Sequence, residues 1–433
     1  MIATVAGVSG PPSSVPGGPG TRPGLARRTA RAALVRADAV FSQKGPAFKQ
    51  LAVSWSANVA GDTLVAVALA GTLFFDVPSA QARAKVALYL LLTIAPFAVV
   101  APVLSAVFRR FPAAFRAVLT SASALRAVVA IVMAFGLTSL WLFPLAFTML
   151  VLSRLYGISK SSMLPVALPE PVALVSANAL LARLGIYAGA AAAVVGAGLI
   201  QLHSAVVLVA AVLLFLFSAF TGLGLPDPRS AVPVAAAAPA VAPSREAFRR
   251  SARSLRLSRL ATAVVRLLNG FLLALLAFEF KETGGILDFG ALIGAAGIGF
   301  GLASFVSPWL EGRLREEPMV VAALAVEAAA AFVSALFFSL WAAALLAGAA
   351  GIAWGMAKFA FDGLLQSVVH PDRRGTAFTR AETLFQLAWV VGAVLPVAVH
   401  IPAEAGLAVA GGVALAAQTV FVSGLLVEPG LRR

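Results

Sequence analysis

Long runs of apolar residues, separated by short polar or basic segments, fill the chain from residue 47 to residue 427. A helix needs about 20 mainly apolar residues to cross the hydrocarbon layer of a bilayer, and each run reaches this length. The alternation of a β-barrel is absent, so the pattern predicts transmembrane helices. The predicted spans are 47–73, 84–107, 113–136, 139–165, 172–200, 204–224, 260–281, 286–310, 318–338, 340–366, 376–399 and 405–427.

The composition agrees with an all-α polytopic membrane protein of about twelve helices, since 61% of the 433 residues are hydrophobic and only 12% are charged. A net charge of +15 would suggest a nucleic-acid partner in a soluble chain, but here the basic residues lie mostly in alternate gaps between spans. The positive-inside rule explains this arrangement, so we expect both termini in the cytoplasm and no nucleic-acid partner. The bias towards Ala, Arg, Gly and Pro indicates a GC-rich bacterial genome, and hence a bacterial inner (plasma) membrane.

The spans divide into two sets of six around a basic segment. The predicted organisation is a disordered cytoplasmic tail (1–46), a six-helix bundle (47–224), a cytoplasmic basic linker (225–259), a second six-helix bundle (260–427) and a cytoplasmic tail (428–433). The arginine-rich part of the linker is either an interfacial amphipathic helix or a solvated charge run that sets topology.

Turn chemistry recurs at matching places in the two halves, which indicates a duplicated unit. After the second span and again after the eighth, a proline near the span end is followed by a basic turn; the residues are Pro102, Arg109 and Arg110, then Pro308, Glu311 and Arg313. Such duplicated helical halves are a common architecture of secondary transporters.

With this layout, the basic linker and the segments 56–62 and 178–198, the chain resembles the major facilitator superfamily, and within it the drug-efflux-like branch of macrolide and siderophore exporters. The resemblance covers residues 47 to 427 and implies two bundles that rock about a central site. The signature loop of that family places an acid before arginine, whereas Ser105 and Arg109 occupy the matching stretch here. We therefore expect any inter-bundle charge contact on the side of Glu311 and Arg313.

Ionisable residues deep inside spans are the leading site candidates, because an unpaired charge in the bilayer is costly and usually faces a cavity. Asp62 lies near the middle of the first span, and we predict that it exchanges protons with the cavity. The alternative is a permanent structural pair with an arginine such as Arg126 or Arg183. The predicted cavity or substrate residues are Trp55, Asn58, Arg126 and Asn269.

Further charges are predicted to gate the bundles or to hold them together. Lys358 and Asp362 are four residues apart on the tenth span and can pair along one helical face. Arg380 and Glu382 lie near the cytoplasmic start of the eleventh span, where we expect a network that anchors a loop. Glu327, inside the ninth span, is interpreted as a structural acid.

Glycines at helical spacing predict close helix packing. The segments are Gly185-xxx-Gly189, Gly290-xxx-Gly294 and Gly297-xxx-Gly301. Small residues repeated on one face allow two backbones to approach.

No cofactor, metal site or enzymatic function is predicted. The chain has no cysteine and three isolated histidines, and it contains no P-loop and no HExxH motif. The predicted function is a secondary active transporter that exports a hydrophobic or amphipathic small molecule by alternating access, with proton coupling at Asp62. A monomer in contact with the lipid bilayer is expected. Two alternatives stay open, namely a lipid-translocating protein of the same fold and a non-transporting membrane scaffold or sensor.

Overall fold

A computed structural model describes residues 44–73, 106, 110, 114–136, 141–169, 174–227, 245–283, 286–311, 313, 316–399 and 401–426. Over these ranges the regular elements are α-helices. They are α1 (Pro46–Leu73), α2 (Phe115–Phe135), α3 (Leu142–Ala167), α4 (Leu174–Leu199), α5 (Ser204–Leu223), α6 (Arg245–Thr283), α7 (Ile286–Glu311), α8 (Glu316–Leu336), α9 (Leu340–Val368), α10 (Pro371–Ala398) and α11 (Ala403–Leu426). The predicted second span, 84–107, lies outside the described residues except at position 106.

Ten of the described helices are long and apolar enough to cross a membrane, so the chain is a multi-pass membrane protein. The exception is α3, which the sequence nevertheless predicts as the fourth span. It carries Arg154 and Lys160 together with several serines, which lower its hydropathy. Several of these polar residues, including Arg154 and Lys160, line a cavity inside the protein.

The seventh span begins earlier than the sequence predicts. Helix α6 starts at Arg245, whereas the predicted start was residue 260, so the end of the predicted linker is helical. Two of its serines pack inside the protein: Ser254 donates a hydrogen bond to Glu317 of α8 at 2.6 Å, and Ser258 is buried. From residue 251 onward this stretch is therefore part of the helical bundle, neither a separate interfacial helix nor a solvated run.

Helix packing repeats between the N-terminal half (α1–α5) and the C-terminal half (α6–α11). In the first half α1 packs on α4 and α5, while α2 packs on α3 and α5. In the second half α6 packs on α10 and α11, while α8 packs on α9 and α11. The helices correspond one to one in chain order when the predicted second span is counted. The duplicated turns in the sequence thus accompany a duplicated arrangement of helices.

Glycines permit the closest helix contacts, but not at all the predicted positions. Gly185 faces Trp55 of α1, as expected for a packing face, whereas a methyl group at Gly294 or Gly297 would meet open space. The close approach of α7 to α9 instead occurs at Gly299, where an added methyl group would collide with the backbone of α9. Of the predicted α7 glycines that the structure describes, only Gly301 would bring a methyl group near a neighbour, Ile186 of α4 at 3.8 Å, because the spacing alone does not say which face meets a neighbour.

The outer surface carries many large apolar side chains, including Phe135, Phe220 and Trp341, each more than 70% exposed. A surface of this kind is suited to contact with lipid rather than water. The two halves meet where α4 packs on α7 and α9, and where α3 packs on α10. The space between those helices holds the candidate site.

Candidate central cavity

A cavity of about 680 Å³ lies between the two halves. Helices α1, α3 and α4 form its wall on one side, and α6, α7, α9 and α10 form the wall on the other. A volume of this size falls within the range of small-molecule sites, about 300–1,000 Å³. Any rocking of one half against the other would change the shape of this space.

Asp62 of α1 forms an ion pair with Arg126 of α2. The Arg126 side chain is fully buried, whereas about a third of the Asp62 side chain (35%) is exposed and lines the cavity. Arg126 also donates to the Asn58 Oδ1 atom at 2.7 Å, and its guanidinium stacks on the Phe215 ring at 4.2 Å. The arginine thus anchors one carboxylate at the cavity wall from inside the N-terminal half.

A chain of hydroxyl groups continues this network into the N-terminal half. Ser54 lies 2.8 Å from the Tyr156 hydroxyl and 3.1 Å from the Ser218 hydroxyl, and Ser218 lies 3.2 Å from that of Ser123. Asn58 donates to Ser123 at 3.3 Å. Because all five residues are buried, these bonds satisfy polar groups that would otherwise destabilise the bundle. The network fixes α1 against α2, α3 and α5.

In the C-terminal half, Lys358 of α9 holds two acids. Its Nζ atom lies 2.6 Å and 2.8 Å from the two carboxylate oxygens of Asp362, and 2.6 Å from an oxygen of Glu382 on α10. All three residues line the cavity. The predicted pair of Lys358 and Asp362 along one face is present. Glu382, which was expected to anchor a loop, instead completes this triad deep in the bundle.

Two further cations stack on tryptophan rings at the cavity wall. The Lys160 Nζ atom lies 4.3 Å from the centroid of the Trp55 ring, both in the N-terminal half. The Arg266 guanidinium lies 4.6 Å from the Trp354 ring and 5.6 Å from the Trp389 ring, all in the C-terminal half. Stacking of a cation on an indole ring is favourable when both are desolvated.

One end of the cavity is closed by contacts between the halves. Glu311, at the end of α7, accepts hydrogen bonds from the backbone N–H groups of Val175 and Ser176 at 3.0 and 2.8 Å, and from the Ser176 hydroxyl. A carboxylate at the N-terminus of α4 satisfies free N–H groups and complements the helix dipole. We call this contact of Glu311 with Val175 and Ser176 the α4–α7 latch.

Amide side chains reinforce the closure next to the latch. Asn178 of α4 donates to the Gln366 Oε1 atom of α9 at 2.8 Å, and Gln366 donates to the carbonyl of Ser161 in α3 at 2.8 Å. Gln366 is fully buried, so both hydrogen bonds are shielded from water. The α4–α7 latch and these amides are on the side that the sequence predicts to be cytoplasmic.

The C-terminal half contains a counterpart of the arginine site. Glu327 is the twelfth residue of α8, as Arg126 is the twelfth residue of α2, and each helix has 21 residues. The Glu327 carboxyl accepts from Asn269 of α6 at 3.4 Å, much as Arg126 contacts Asn58 of α1. The two halves therefore place an ionisable residue and an asparagine at matching positions, with opposite ionisable chemistry.

The structure distributes the predicted cavity residues between the wall and the interior. Trp55 and Asp62 line the cavity. Asn58, Arg126 and Asn269, expected to line it as well, are inside the two halves instead. They face neighbouring helices because each is bonded to another polar side chain across a helix contact.

Within the described residues, the arginines among the predicted gating residues do not join the contacts between the halves described above. Arg109 lies outside the described residues, while Arg110 and Arg380 are exposed. Arg313 is exposed and stacks on Trp309 at 3.9 Å, so within the described part of the chain the α4–α7 latch is formed by Glu311 without it. Arg183, the alternative partner of Asp62, stacks on Phe305 of α7 at 4.6 Å.

Sequence reasoning missed Arg154 and Lys160, two cavity cations of α3. They lie six residues apart in the predicted fourth span, so the signal was available. Arg154 is exposed at the cavity, and Lys160 lies towards the end of the span, where lysines commonly reach for the interface. In all, seven charged side chains line the cavity, whereas Asp62 and Arg126 were the charged residues that the sequence assigned to it.

In the described ranges, no group of three or more His, Asp or Glu residues is arranged to hold a metal ion. His203 instead caps α5 by accepting from the backbone N–H of Ala205 at 3.1 Å.

Comparison with solved structures identifies the fold as that of major facilitator superfamily transporters. The human organic anion transporter MFSD10 is similar with a TM-score of 0.65 and 16% identity, covering 87% of this chain and 100% of that one. A bacterial homologue of the iron transporter ferroportin, in an outward-facing state, gives 0.59 and 14%, covering 88% and 99%. The transporter FucP, in the outward conformation, gives 0.59 and 14%, covering 86% and 98%.

Proteins with similar sequences occur in mycobacteria. An uncharacterized protein of Mycobacterium leprae is 30% identical over 394 residues, which cover 81% of this chain and 66% of that protein. An uncharacterized protein of Mycobacterium tuberculosis is 38% identical over 147 residues, covering 32% of this chain and 26% of that protein. The chain thus spans only part of the length of these relatives. No protein-family model matches it.

Proposed function

We propose that the chain is a secondary active transporter of the major facilitator superfamily, which moves an amphipathic small molecule by alternating access. The observation that carries the proposal is one cavity walled by both halves and closed at one end by the α4–α7 latch. A site of this kind becomes accessible from the other side when the halves rock. The transporter fold of the similar structures supports the same conclusion.

The conformation described corresponds in this proposal to an outward-facing state. The α4–α7 latch closes the end near the start of α6, which the positive-inside rule assigns to the cytoplasm. Two of the similar structures, the ferroportin homologue and FucP, are themselves outward-facing. Transport would then require that Glu311 releases the N-terminus of α4 when the halves rock.

Proton coupling at Asp62 and export across the plasma membrane of a bacterium stay predictions within this proposal. Asp62 is placed at the cavity wall, where it can meet water. Its pairing with Arg126 means that a proton on Asp62 would break an ion pair. Protonation of Asp62 from the cavity would thus change the charge balance around Arg126 inside the N-terminal half.

The test is flux into proteoliposomes that contain the purified full chain. The panel comprises lipophilic cations, organic anions, antibiotics and fluorescent lipids, each with and without an imposed pH gradient. We expect saturable flux of at least one small solute, and loss of the gradient-driven part in Asp62→Asn if that residue carries the proton. Flux of lipids alone would favour the lipid-translocating alternative, and no flux at all would contradict the proposal.

A further inference from the structure

The cavity has one cation–tryptophan pair in each half of the protein. One pair, Lys160 with Trp55, belongs to the N-terminal half, and the other, Arg266 with Trp354, belongs to the C-terminal half. All four residues line the same cavity. A solute bound between the halves would therefore have a cation and an indole ring available on each side.

Each acid of the cavity has a cation other than Lys160 or Arg266 in direct contact. Asp62 is paired with Arg126, while Asp362 and Glu382 both bind Lys358. Within the described part of the chain, neither Lys160 nor Arg266 has a carboxylate within 4.0 Å. Arg266 donates a long hydrogen bond, 3.4 Å, to the Gln386 amide oxygen.

The cavity consequently has an excess of positive charge. Arg154 also lines the wall but is engaged in an interaction of its own. The other basic residues at or directly behind the wall are Arg126, Lys160, Arg266 and Lys358, and the acidic ones are Asp62, Asp362 and Glu382. Four basic side chains thus face three acidic ones, which leaves one positive charge in excess among these residues. Charges held inside a membrane protein without a counterion are costly, and they commonly mark the path or site of an ion or a charged substrate.

The indole rings are held in fixed orientations. Trp55 donates from its ring nitrogen to the carbonyl of Leu181 at 2.7 Å and stacks on Tyr156 with ring centroids 6.1 Å apart. Trp354 makes an edge contact with Phe385 at 6.2 Å. Fixed aromatic walls reduce the entropy lost when a flat apolar body binds between them.

We propose that this cavity binds a small organic anion with an aromatic body, such as an aromatic carboxylate. Its carboxylate would be placed between Lys160 and Arg266, and its rings would contact Trp55 and Trp354. The inference rests on the proposed function, since it names the class of solute that the same cavity carries. It narrows the hydrophobic or amphipathic small molecule predicted from the sequence to an anionic one.

The test is equilibrium binding to the full chain in a non-ionic detergent, measured by calorimetry. Three probes share one naphthalene body: 2-naphthoate, its neutral amide and the corresponding methylammonium cation. We expect 2-naphthoate to bind at least about tenfold more tightly than the amide, because hydrogen bonds to charged groups are stronger than those to neutral ones. The cation should bind more weakly than the amide.

Variants locate the binding site. Lys160→Met and Arg266→Met are each expected to reduce the affinity for 2-naphthoate to near that of the amide, with the affinity for the amide little changed. Lys160→Arg should retain most of the preference. The matched control is Arg256→Met, an exposed arginine of α6 that does not line the cavity. It should bind 2-naphthoate as wild type does.

The inference is overturned if the amide binds as tightly as the carboxylate, or if neither Met variant weakens 2-naphthoate binding more than the control does. Competition with phosphatidylglycerol distinguishes a small solute from a lipid headgroup as the bound anion. A small-solute site would be contradicted if this lipid displaced 2-naphthoate and the three probes bound with equal affinity. Saturable flux of a neutral solute without anion preference would refute the inference alone, whereas anion binding without flux would refute the proposed function.

Discussion

Removal of the Asp62 carboxylate provides the sharpest test of the buried charge in the N-terminal half. Asp62→Asn keeps the shape of the side chain but leaves the fully buried Arg126 without its counterion. Breaking a buried pair in this way costs about 3–5 kcal/mol when both partners are inaccessible. Because Asp62 is about one third (35%) exposed, water can replace part of the lost interaction. We therefore expect a loss of about 2–3 kcal/mol in the free energy of unfolding.

The double variant Asp62→Asn with Arg126→Met should recover most of this loss, because it removes the stranded cation and keeps the apolar stem. The measurement is reversible unfolding in mixed micelles with increasing sodium dodecyl sulfate, followed by circular dichroism. The matched control is Asp227→Asn, whose partner Arg116 lies 3.9 Å away and is itself partly exposed (39%). An exposed pair of this kind contributes about 0–1 kcal/mol.

Two outcomes would contradict a stabilising ion pair between Asp62 and Arg126. If Asp62→Asn lowers the free energy of unfolding no more than Asp227→Asn does, the buried Arg126 guanidinium does not need the Asp62 carboxylate for stability. If the double variant is no more stable than Asp62→Asn alone, the loss does not come from a stranded charge, since the two sites would then fail to show the coupling expected of contacting residues.

Two further predictions concern packing and the counterpart acid. Gly299→Ala should destabilise the chain by about 1–3 kcal/mol in the same unfolding assay, because the new methyl group collides with the backbone of α9; Gly294→Ala, which faces open space, is the control and should change little. Glu327→Gln should be tolerated within about 1 kcal/mol, because the acid is buried against an amide with no cation paired to it in the described residues. A loss as large as that of Asp62→Asn would instead indicate a charged Glu327 that has a partner.

The sequence predicted the number and length of most described helices because the bilayer imposes a fixed apolar length. It also placed Asp62 at the cavity, since an acid near the middle of a span is rare and visible without any knowledge of neighbours. Its role in proton coupling stays a prediction. The paired arrangement of Lys358 and Asp362 was predictable for a similar reason, as both residues are on one helix and four positions apart.

What the sequence did not predict depends on contacts between helices. Asn58 is four residues from Asp62, yet only the packing of α2 against α1 shows that its amide faces Arg126 rather than the cavity. Glu382 joins Lys358 only because α10 packs beside α9. Lys160 was missed because a lysine towards the end of a span commonly reaches for the interface, and nothing local shows that a tryptophan of α1 lies beside it.

The latch also allows a direct test of alternating access, because the chain contains no cysteine and any introduced pair is unique. Ser176→Cys with Glu311→Cys would join the two halves across the closed end of the cavity. The matched control is Ser254→Cys with Glu317→Cys, which joins α6 to α8 within one half, where the native side chains lie 2.6 Å apart.

The decisive measurement is flux of the best-transported solute of the panel into proteoliposomes, before oxidation, after oxidation and after reduction. We predict that the cross-link between the halves reduces flux to the level of protein-free liposomes and that a reductant restores it, while the cross-link within one half leaves flux unchanged. Full flux through protein whose halves are cross-linked at the latch would contradict alternating access about this cavity.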